Sequence, residues 1–267
     1  MRKGCWMPYA LAAVLLAAAS TAGHAIMSLG GPTGIVSMPD AQVAASGQLD
    51  LALGYESLEM YGRGDDYTIW QLQALRSVSD EVEVWATYSN IDDGFDGSGW
   101  GLGGKWQFIR QPALVAAGLS YHTADVGPGQ GYLPVWSADS SIDAWKAYVV
   151  ATRDLTPNQP NLQVLGTVGL MLIDFDVSSG LGVGGAVDDR LLQPFVGVEL
   201  VSAGGTAAGV EYRWDDESEA DPVLSAVLRT PLSEGAFWEI GTTNAYLVGL
   251  GSDERGAFVR VVFTTEI

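Results

Sequence analysis

Eleven charged residues of this chain could act together if the segments that carry them fold as β-strands. Side chains in a strand alternate between two faces, so the residues that share a face can be read from the sequence. In residues 205–214, Val210, Tyr212 and Trp214 share an apolar face, and Glu211 and Arg213 share the opposite face. In the other candidate strands the same alternation gives a polar-face set: Asp50, Glu56, Glu83, Lys105, Lys146, Glu199, Glu211, Arg213, Arg229, Glu239 and Arg260.

This polar-face set contains six acids and five bases, so its charges nearly balance. If the face lines the inside of a barrel, the set has two interpretations. It could form a charge-selective channel, or it could form ion pairs in a closed structural interior. Unpaired charges in a narrow, partly dry space are costly. We therefore expect the ion-paired interior, with a small pore or none.

Catalytic chemistry has one candidate in the sequence. His122 follows Ser120 by two residues, so both would lie on one strand face, and a Ser–His pair can hydrolyse lipids in a barrel enzyme. No Gly-x-Ser-x-Gly sequence and no orienting Asn or Asp is recognisable. We predict no catalytic residues and a protein that is not an enzyme. A lipid-directed barrel enzyme around His122 is the alternative.

Metal and cofactor sites are not predicted. The chain has no P-loop and no His/Cys metal spacing. The densest acidic runs, 215–221 and 92–98, lack the spacing and the closing Glu of a calcium loop, so we expect solvated loops. A net charge of −19 without a basic stripe excludes nucleic acid as a partner.

The elements that would position these residues are about twelve strands. Their predicted centres are Leu51, Trp70, Val84, Gly104, Ala117, Tyr148, Val168, Val196, Val210, Ala226, Ile240 and Val261. Long acidic connections, such as 123–142 and 174–190, alternate with short ones such as 110–112. Bacterial outer-membrane barrels show this rhythm, with short periplasmic turns and an even strand number.

The fold prediction is therefore all-β: an antiparallel transmembrane β-barrel of about twelve strands. Mean hydropathy of +0.16 and 48% hydrophobic residues are high for so acidic a chain and fit an apolar belt that faces lipid. Trp and Tyr recur near the ends of the segments, as aromatic girdles require. A secreted soluble β protein is the alternative fold, because its strands could carry the same alternation.

The first residues predict export. Arg2 and Lys3 precede an uncharged Ala/Leu-rich run, and Gly23-His24-Ala25 offers small residues for cleavage. We predict a signal peptide over 1–25, a periplasmic segment over 26–46 that could tuck into the barrel mouth, and the barrel over 47–267. The one cysteine, Cys5, precedes the cleavage site, so the mature chain would contain no disulfide.

The run Gly34-Ile35-Val36-Ser37-Met38-Pro39-Asp40-Ala41, followed by a strand from Leu49, resembles the opening of a family of bacterial outer-membrane barrels. This is the YjbH-like group, which is linked to exopolysaccharide production. The resemblance continues loosely through 106–108, 153–155, 193–200 and 210–212. It implies an outer-membrane barrel of a Gram-negative bacterium with a role connected to envelope polysaccharide.

The function prediction combines these observations. We expect a non-enzymatic outer-membrane protein, either an envelope or exopolysaccharide-associated factor or a narrow channel. Its expected partners are outer-membrane lipid, the barrel assembly machinery and envelope polysaccharide. The last strand keeps the alternation that such machinery reads, but it ends in Ile267 where an aromatic residue is usual.

Overall fold

The computed structural model describes residues 27–29, 31–59, 66–92, 97–126, 140–159, 161–179, 187–214, 222–245 and 251–267. Within these ranges the chain forms twelve β-strands. They are β1 (Gln48–Glu59), β2 (Asp66–Ser79), β3 (Val82–Asp92), β4 (Gly97–Ile109), β5 (Leu114–Val126), β6 (Ser140–Asp154), β7 (Leu162–Ser179), β8 (Val187–Ser202), β9 (Ala207–Arg213), β10 (Val223–Ser233), β11 (Ala236–Ala245) and β12 (Gly251–Glu266).

The sheet is a closed barrel. Each strand pairs antiparallel with its neighbours in sequence, and β1 pairs with β12 along a seam from Gln48↔Glu266 to Leu58↔Gly256. Closure removes the open edges of the sheet, so the backbone polar groups of all strands can bond to one another. The end of the barrel that carries Gln48 and Glu266 is called the proximal end below, and the opposite end the distal end.

The two faces of the sheet differ in polarity as the alternation predicts. On β9, Glu211 and Arg213 are each 1% exposed and point inward, whereas Val210 between them is 52% exposed. The outward face is apolar around the whole barrel and includes Leu53, Leu102, Val149, Val168 and Leu228. An apolar exterior around a polar interior is the arrangement of a membrane-spanning barrel and the reverse of a soluble one.

Aromatic rings form contacts on the outward face. Tyr55 and Trp70 have ring centroids 4.9 Å apart, and Tyr121 packs against Trp145 at 4.9 Å. Trp100 extends this group, with its ring 5.5 Å from that of Tyr121. Tyr and Trp prefer the boundary between lipid and water, because their rings are apolar and carry one polar atom.

The prediction of twelve strands is confirmed, and every predicted centre lies in the corresponding strand. The strands extend further at the distal end than predicted, because β7 continues to Ser179 and β8 begins at Val187. The sequence had indicated a long, acidic connection over 174–190. The backbone ladder continues into this range, and Asp174 pairs with Arg190 across the two strands.

Among the residues that the structure describes, no helix has the length and apolar character needed to cross a membrane.

Residues 27–29 and 31–45, called the inner segment below, lie inside the barrel. Met27, Val36, Met38 and Ala41 are each no more than 1% exposed. Met27, Met38 and Ala41 share an apolar cluster with inward-facing strand residues such as Phe195, and Val36 packs in a second cluster with Phe258. The interior of the barrel is therefore occupied by the chain that precedes β1.

Candidate functional site

The inner segment is folded on itself by backbone hydrogen bonds. The Leu29 N–H donates to the Val36 carbonyl at 2.6 Å, and the Asp40 N–H donates to the Thr33 carbonyl at 3.1 Å. Residues 35–38 form the turn between these bonds, and Gly34 pairs with Pro39 at its base. A Cβ atom at Gly34 would lie 2.1 Å from the carbonyl oxygen of Met38, so only glycine fits. The segment is thus a compact body that fits the lumen.

Glu211 on β9 binds the turn of the inner segment with one carboxylate. Its Oε2 accepts the backbone N–H groups of Val36 at 2.9 Å and Met38 at 3.2 Å. Its Oε1 accepts the backbone N–H of Ser37 at 2.8 Å and the Ser37 hydroxyl at 2.5 Å. Successive N–H groups that converge on one anion form a concave binding site, and such charge-assisted bonds are stronger than neutral ones.

Arg229 on β10 binds backbone carbonyl groups of the same turn, whereas Glu211 binds its N–H groups. Its Nη2 donates to the carbonyl oxygens of Gly34, at 2.8 Å, and of Ile35. Its Nε donates to Glu239 at 2.7 Å, and its Nη1 pairs with Glu199. The guanidinium therefore joins two wall carboxylates to the backbone of the segment.

Arg260 on β12 continues this network around the wall. Its Nε donates to the second oxygen of Glu239 at 2.5 Å, and its Nη1 donates to Gln73 on β2 at 2.9 Å. Its Nη2 donates to the carbonyl of Met27, at the start of the described segment. Glu199, Arg229, Glu239 and Arg260 thus form a continuous chain of ion pairs over four strands, and two of its members hold the inner segment.

A second ion pair holds the segment from β3 and β4. Lys105 Nζ lies 3.0 Å from Glu83 Oε1 and 3.6 Å from Asp40 Oδ1. Glu83 Oε1 accepts the backbone N–H of Thr33 at 2.8 Å, and Lys105 donates to the carbonyls of Thr33 and Asp40, each at 3.2 Å. Lys105 also bonds to the Thr33 hydroxyl. All of these side chains are buried.

Ile35 fits a gap between two glycines of the wall. Cβ atoms built at Gly197 on β8 and at Gly209 on β9 would lie 2.3 Å and 2.6 Å from the Ile35 side chain. Any larger residue at either position would displace Ile35. The missing side chains of these strand glycines therefore create the space in which the segment is seated.

Four neutral side chains on β2, β4 and β6 complete the contacts. Gln73 donates to the Leu29 carbonyl at 2.6 Å, and Gln107 donates to the Ala41 carbonyl at 2.5 Å. The remaining contacts come from Ser77, which donates to the Ala44 carbonyl at 2.7 Å, and from Thr152, which accepts the Ala41 N–H at 2.9 Å. Charge alone did not mark these residues in the sequence, although all four lie on the inward face that the alternation defines.

Seven of the eleven polar-face residues predicted from the sequence lie at this site, and the structure places the other four elsewhere on the inner wall. Asp50 accepts two bonds from Gln48, at 2.8 and 3.0 Å. Glu56 is 6% exposed, and its Oε1 has no hydrogen-bond partner among the described residues. Lys146 is half-buried on β6, and Arg213 is buried at the end of β9. Lys146 and Arg213 lie nearer the distal end than Thr152 and Glu211, the residues of the same strands that bind the segment.

The sequence predicted that the interior charges pair with one another. In the structure they also bind the inner segment. Glu211 binds four groups of the inner segment, and Arg229, Arg260, Glu83 and Lys105 each divide their bonds between the wall and the segment. The acid that completes the Lys105 pair, Asp40, belongs to the segment and was not in the predicted set. A strand pattern identifies inward-facing charges but does not show that another part of the chain will occupy the space between them.

His122 and Ser120 do come together. Their side chains meet at 3.2 Å between Nε2 and Oγ, on the inward face of β5. Within the described ranges, no Asp, Glu or Asn hydrogen-bonds the other ring nitrogen, which a catalytic base requires for its orientation. The pair also faces the interior, away from the lipid-facing surface on which a lipid substrate would lie.

In the described part of the chain, no group of three or more His, Cys, Asp or Glu residues is arranged to hold a metal ion. The acidic run 215–221, the central part of the run 92–98 and the predicted signal peptide lie outside the described residues.

Comparisons with known proteins agree with the architecture. No protein-family model and no curated protein matches the sequence. Among solved structures, the chain is similar to the COG4313 outer membrane channel from Pseudomonas putida F1, with a TM-score of 0.55 and 12% identity over 86% of this chain and 99% of that one. It is also similar to the KdgM porin in complex with disordered oligogalacturonate, with a TM-score of 0.54 and 8% identity over 80% and 98% of the two chains.

These likenesses concern the fold, because the sequence identities are low. Together with the closed sheet of twelve antiparallel strands, they show that the chain has the fold of outer-membrane β-barrels. The occupied lumen is a property of this chain that its own contacts establish.

Proposed function

We propose that this protein is a non-enzymatic channel of the Gram-negative outer membrane that its own inner segment holds closed. The observation that carries the proposal is the set of buried wall charges bonded to the backbone of residues 27–44. A structural interior would need only pairs within the wall. Here Glu211 and Arg229 also satisfy polar groups of a separate segment, which can leave the lumen without breaking the closed sheet.

Energetics also favour a closed resting state. Removal of the segment would leave Glu211 without its four donors and would expose the glycine gap that Ile35 fills. Hydrogen bonds to charged groups contribute about 1.5–3 kcal/mol each. Water that enters the lumen would replace part of that loss. Opening therefore requires a change in the segment, such as a ligand or a partner that binds it.

Conductance of the refolded protein in a planar bilayer tests the proposal. The wild type should conduct little. Gly209→Val should raise the current, because the added side chain occupies the position of Ile35. Gly104→Val is the matched control. Gly104 faces outward on β4, and a Cβ there would meet nothing closer than 3.6 Å, so this variant should behave as the wild type does.

A reversible cross-link between the segment and the wall, which gives what is called the locked protein below, shows whether the current of Gly209→Val comes from movement of the segment or from misfolding. Ala41 and Thr152 are joined by a 2.9 Å hydrogen bond, and the chain after residue 25 contains no cysteine. Cysteines at both positions, linked by a short bis-thiosulfonate that forms a disulfide with each thiol and releases sulfinate, should abolish the current of Gly209→Val, and a reductant should restore it. A large steady current from the wild type, or from the locked protein, would contradict the proposal.

A role in handling envelope polysaccharide is the second candidate. One observation favours it: the run 34–41, which resembles the opening of the YjbH-like barrels, contains the turn that Glu211 and Arg229 bind and the carboxylate that pairs with Lys105. Deletion of the gene should lower the amount of cell-surface polysaccharide. The wild type should restore that amount, and the locked protein should not. Full restoration by the locked protein would remove the link between this role and the segment.

Outer-membrane location, with the proximal end facing the periplasm, is part of the same proposal. It is supported by the apolar exterior and by the short connections at the proximal end, such as 80–81 and 234–235. The protein should sediment with outer membranes and run faster in detergent gels before heating than after heating. Recovery in the soluble periplasmic fraction would contradict the location, and with it the expected partners, which are membrane lipid and the assembly machinery.

A further inference from the structure

The outward face of the barrel carries a groove near the proximal end, between β6, β7 and β8. Its volume is about 400 Å³. The lining is almost entirely apolar and contains Ala113, Ala151, Leu155, Gly166, Val168, Val196 and Val198, with Arg153 at one side. Val168 and Val198 are 57% and 47% exposed, so the groove opens to the surroundings of the barrel.

The groove exists because a glycine interrupts one row of outward-facing side chains. Arg153 pairs with Gly166, and Gly166 pairs with Val198, so the three residues lie side by side on the outward face. Gly166 contributes no side chain to this row. In the neighbouring row, Ala151 pairs with Val168. The surface is therefore lower at Gly166 than on either side.

Leu155 closes the proximal side of the groove. It follows the last residue of β6, and its N–H donates to the Val164 carbonyl at 2.8 Å. This bond places the Leu155 side chain beside Gly166, where a Cβ atom would be 3.1 Å from Leu155 Cδ1. The groove is thus closed by a side chain that the backbone holds in place.

Arg153 places a positive charge at the rim. Its side chain is exposed, and no ion pair of Arg153 occurs within the described ranges. The adjacent carboxylate of Asp154 is engaged elsewhere: Oδ1 accepts the Thr156 N–H at 2.8 Å, and Oδ2 accepts the Gln163 side chain at 3.0 Å. The guanidinium is therefore available to an anion from outside the chain.

We propose that this groove binds a phospholipid of the leaflet that surrounds the proximal end. One acyl chain lies along Gly166, Val168 and Val198, and the phosphate pairs with Arg153. An apolar channel with a cation at its membrane boundary matches the two parts of such a lipid, and an arginine binds phosphate oxygens with two parallel bonds. This site rests on the proposed membrane location and is independent of the inner segment.

The test uses the full protein, refolded into vesicles of phosphatidylethanolamine and phosphatidylglycerol and then extracted in mild detergent. Native mass spectrometry measures how much phospholipid each variant retains. The wild type should retain a bound phospholipid. Arg153→Ala should lower the retained fraction about fivefold, from the contribution of one basic residue near a lipid surface. Gly166→Leu should also lower it, because the new side chain fills the groove.

Two controls separate a specific site from general changes at the surface. Arg110→Ala removes another exposed arginine at the proximal end, which pairs with Glu81 at 3.4 Å, and should leave retention unchanged. Gly104→Leu fills an outward-facing glycine elsewhere on the wall and should also change nothing. Unheated gel mobility confirms that each variant is folded.

Equal retention by the wild type and Arg153→Ala, or by the wild type and Gly166→Leu, would overturn the proposal. Release of the lipid by inorganic phosphate alone would also overturn it, because the site would then bind free anions without need of an acyl chain. None of these outcomes depends on the bilayer current, so failure of the lipid site and failure of the closed-channel proposal can be told apart.

Discussion

Two sides of the barrel wall hold the inner segment in different ways. On β9 and β10, Glu211 and Arg229 bind mostly main-chain N–H and carbonyl groups of residues 34–38. On β3 and β4, Glu83 and Lys105 bind main-chain groups too, but they also engage the side chains of Thr33 and Asp40. The first side therefore recognises the shape of a turn, whereas the second side recognises particular residues.

This difference separates two kinds of recognition in the proposed closed state. Main-chain recognition tolerates changes in the segment as long as its turn persists, because every residue other than proline carries the same donor and acceptor. Side-chain recognition fails when one hydroxyl or carboxylate is removed. Variants on the β9–β10 side should therefore affect the closed state most, and variants on the β3–β4 side should have smaller effects that depend on the residue.

The largest effect is expected from Arg229→Met. The change leaves Glu199 and Glu239 buried with less compensation and removes two bonds to the segment. Breaking a buried ion pair by removing one partner costs about 3–5 kcal/mol. Urea unfolding in lipid vesicles, followed by tryptophan fluorescence, measures the change.

Arg190→Met is its matched control, because this arginine pairs with Asp174 at 2.6 Å on the exposed surface. Exposed pairs contribute about 0–1 kcal/mol. Equal destabilisation by the two variants would mean that the interior network is no more important than a surface pair.

A smaller effect is expected from Glu211→Gln, which preserves the shape of the side chain but removes its charge. The amide offers one acceptor oxygen to the four donors of residues 36–38. We expect docking of the segment to weaken by about 2 kcal/mol, in the range of bonds to charged groups. More frequent openings in the planar bilayer would show this.

The control for that variant is Glu81→Gln, since Glu81 is exposed and pairs with Arg110. It should leave the openings unchanged. If Glu211→Gln kept the wild-type current and stability, the carboxylate would not hold the segment, and the β9–β10 side would lose its part in closure.

The smallest effect is expected from Thr33→Val on the β3–β4 side. The hydroxyl donates to the Gln42 carbonyl at 2.6 Å and contacts Glu83 and Lys105. Its loss should cost about 1 kcal/mol, the typical contribution of one hydrogen bond. Thr265→Val, in which the hydroxyl reaches only the neighbouring Glu266 carbonyl at 3.5 Å, is the control and should be neutral.

Double-mutant cycles sharpen the contrast between the two sides. Thr33→Val and Glu83→Gln remove partners of one contact, so their effects on the unfolding free energy should couple by about 0.5 kcal/mol or more. Thr33→Val and Glu211→Gln act on different contacts and should add. Strong coupling in the second cycle would mean that the segment docks as one rigid unit and that the two sides are not separate.

Much of this structure could be predicted from the sequence, because its cause is local. Strand alternation is a property of each segment, so the inward orientation of residues such as Glu83, Glu211 and Arg229 follows from their position beside outward apolar neighbours. The number of strands followed from the same signal. The strand boundaries at the distal end were harder to predict. The ladder between β7 and β8 continues past Asp174 through backbone bonds, which do not depend on side-chain type.

The contacts between the wall and the inner segment could be predicted only in part. Alternation identified the charges that face the lumen but not their partners. The neutral residues that contact the segment could not be told from other inward-facing residues, because they carry no charge; they are Gln73, Gln107, Ser77 and Thr152. The run 34–41 resembles the opening of the YjbH-like barrels, but the resemblance does not show which wall residues it contacts. Its glycine at position 34 is explained by a turn that is visible only in three dimensions.

The sequence by itself therefore determined the barrel: the order of its strands, the polarity of its two faces and the charges of its interior, all of which arise from residues close together in the chain. The sequence suggested that the segment 26–46 could tuck into the barrel mouth, but only the tertiary structure decided that residues 27–29 and 31–45 fill the interior and which wall residues bind them. The inner segment meets Glu83, Glu211, Arg229 and Arg260 across as many as 233 positions of sequence, in the contact between Met27 and Arg260. Closure of the sheet brings those positions together, because a closed barrel directs one face of every strand into the same space.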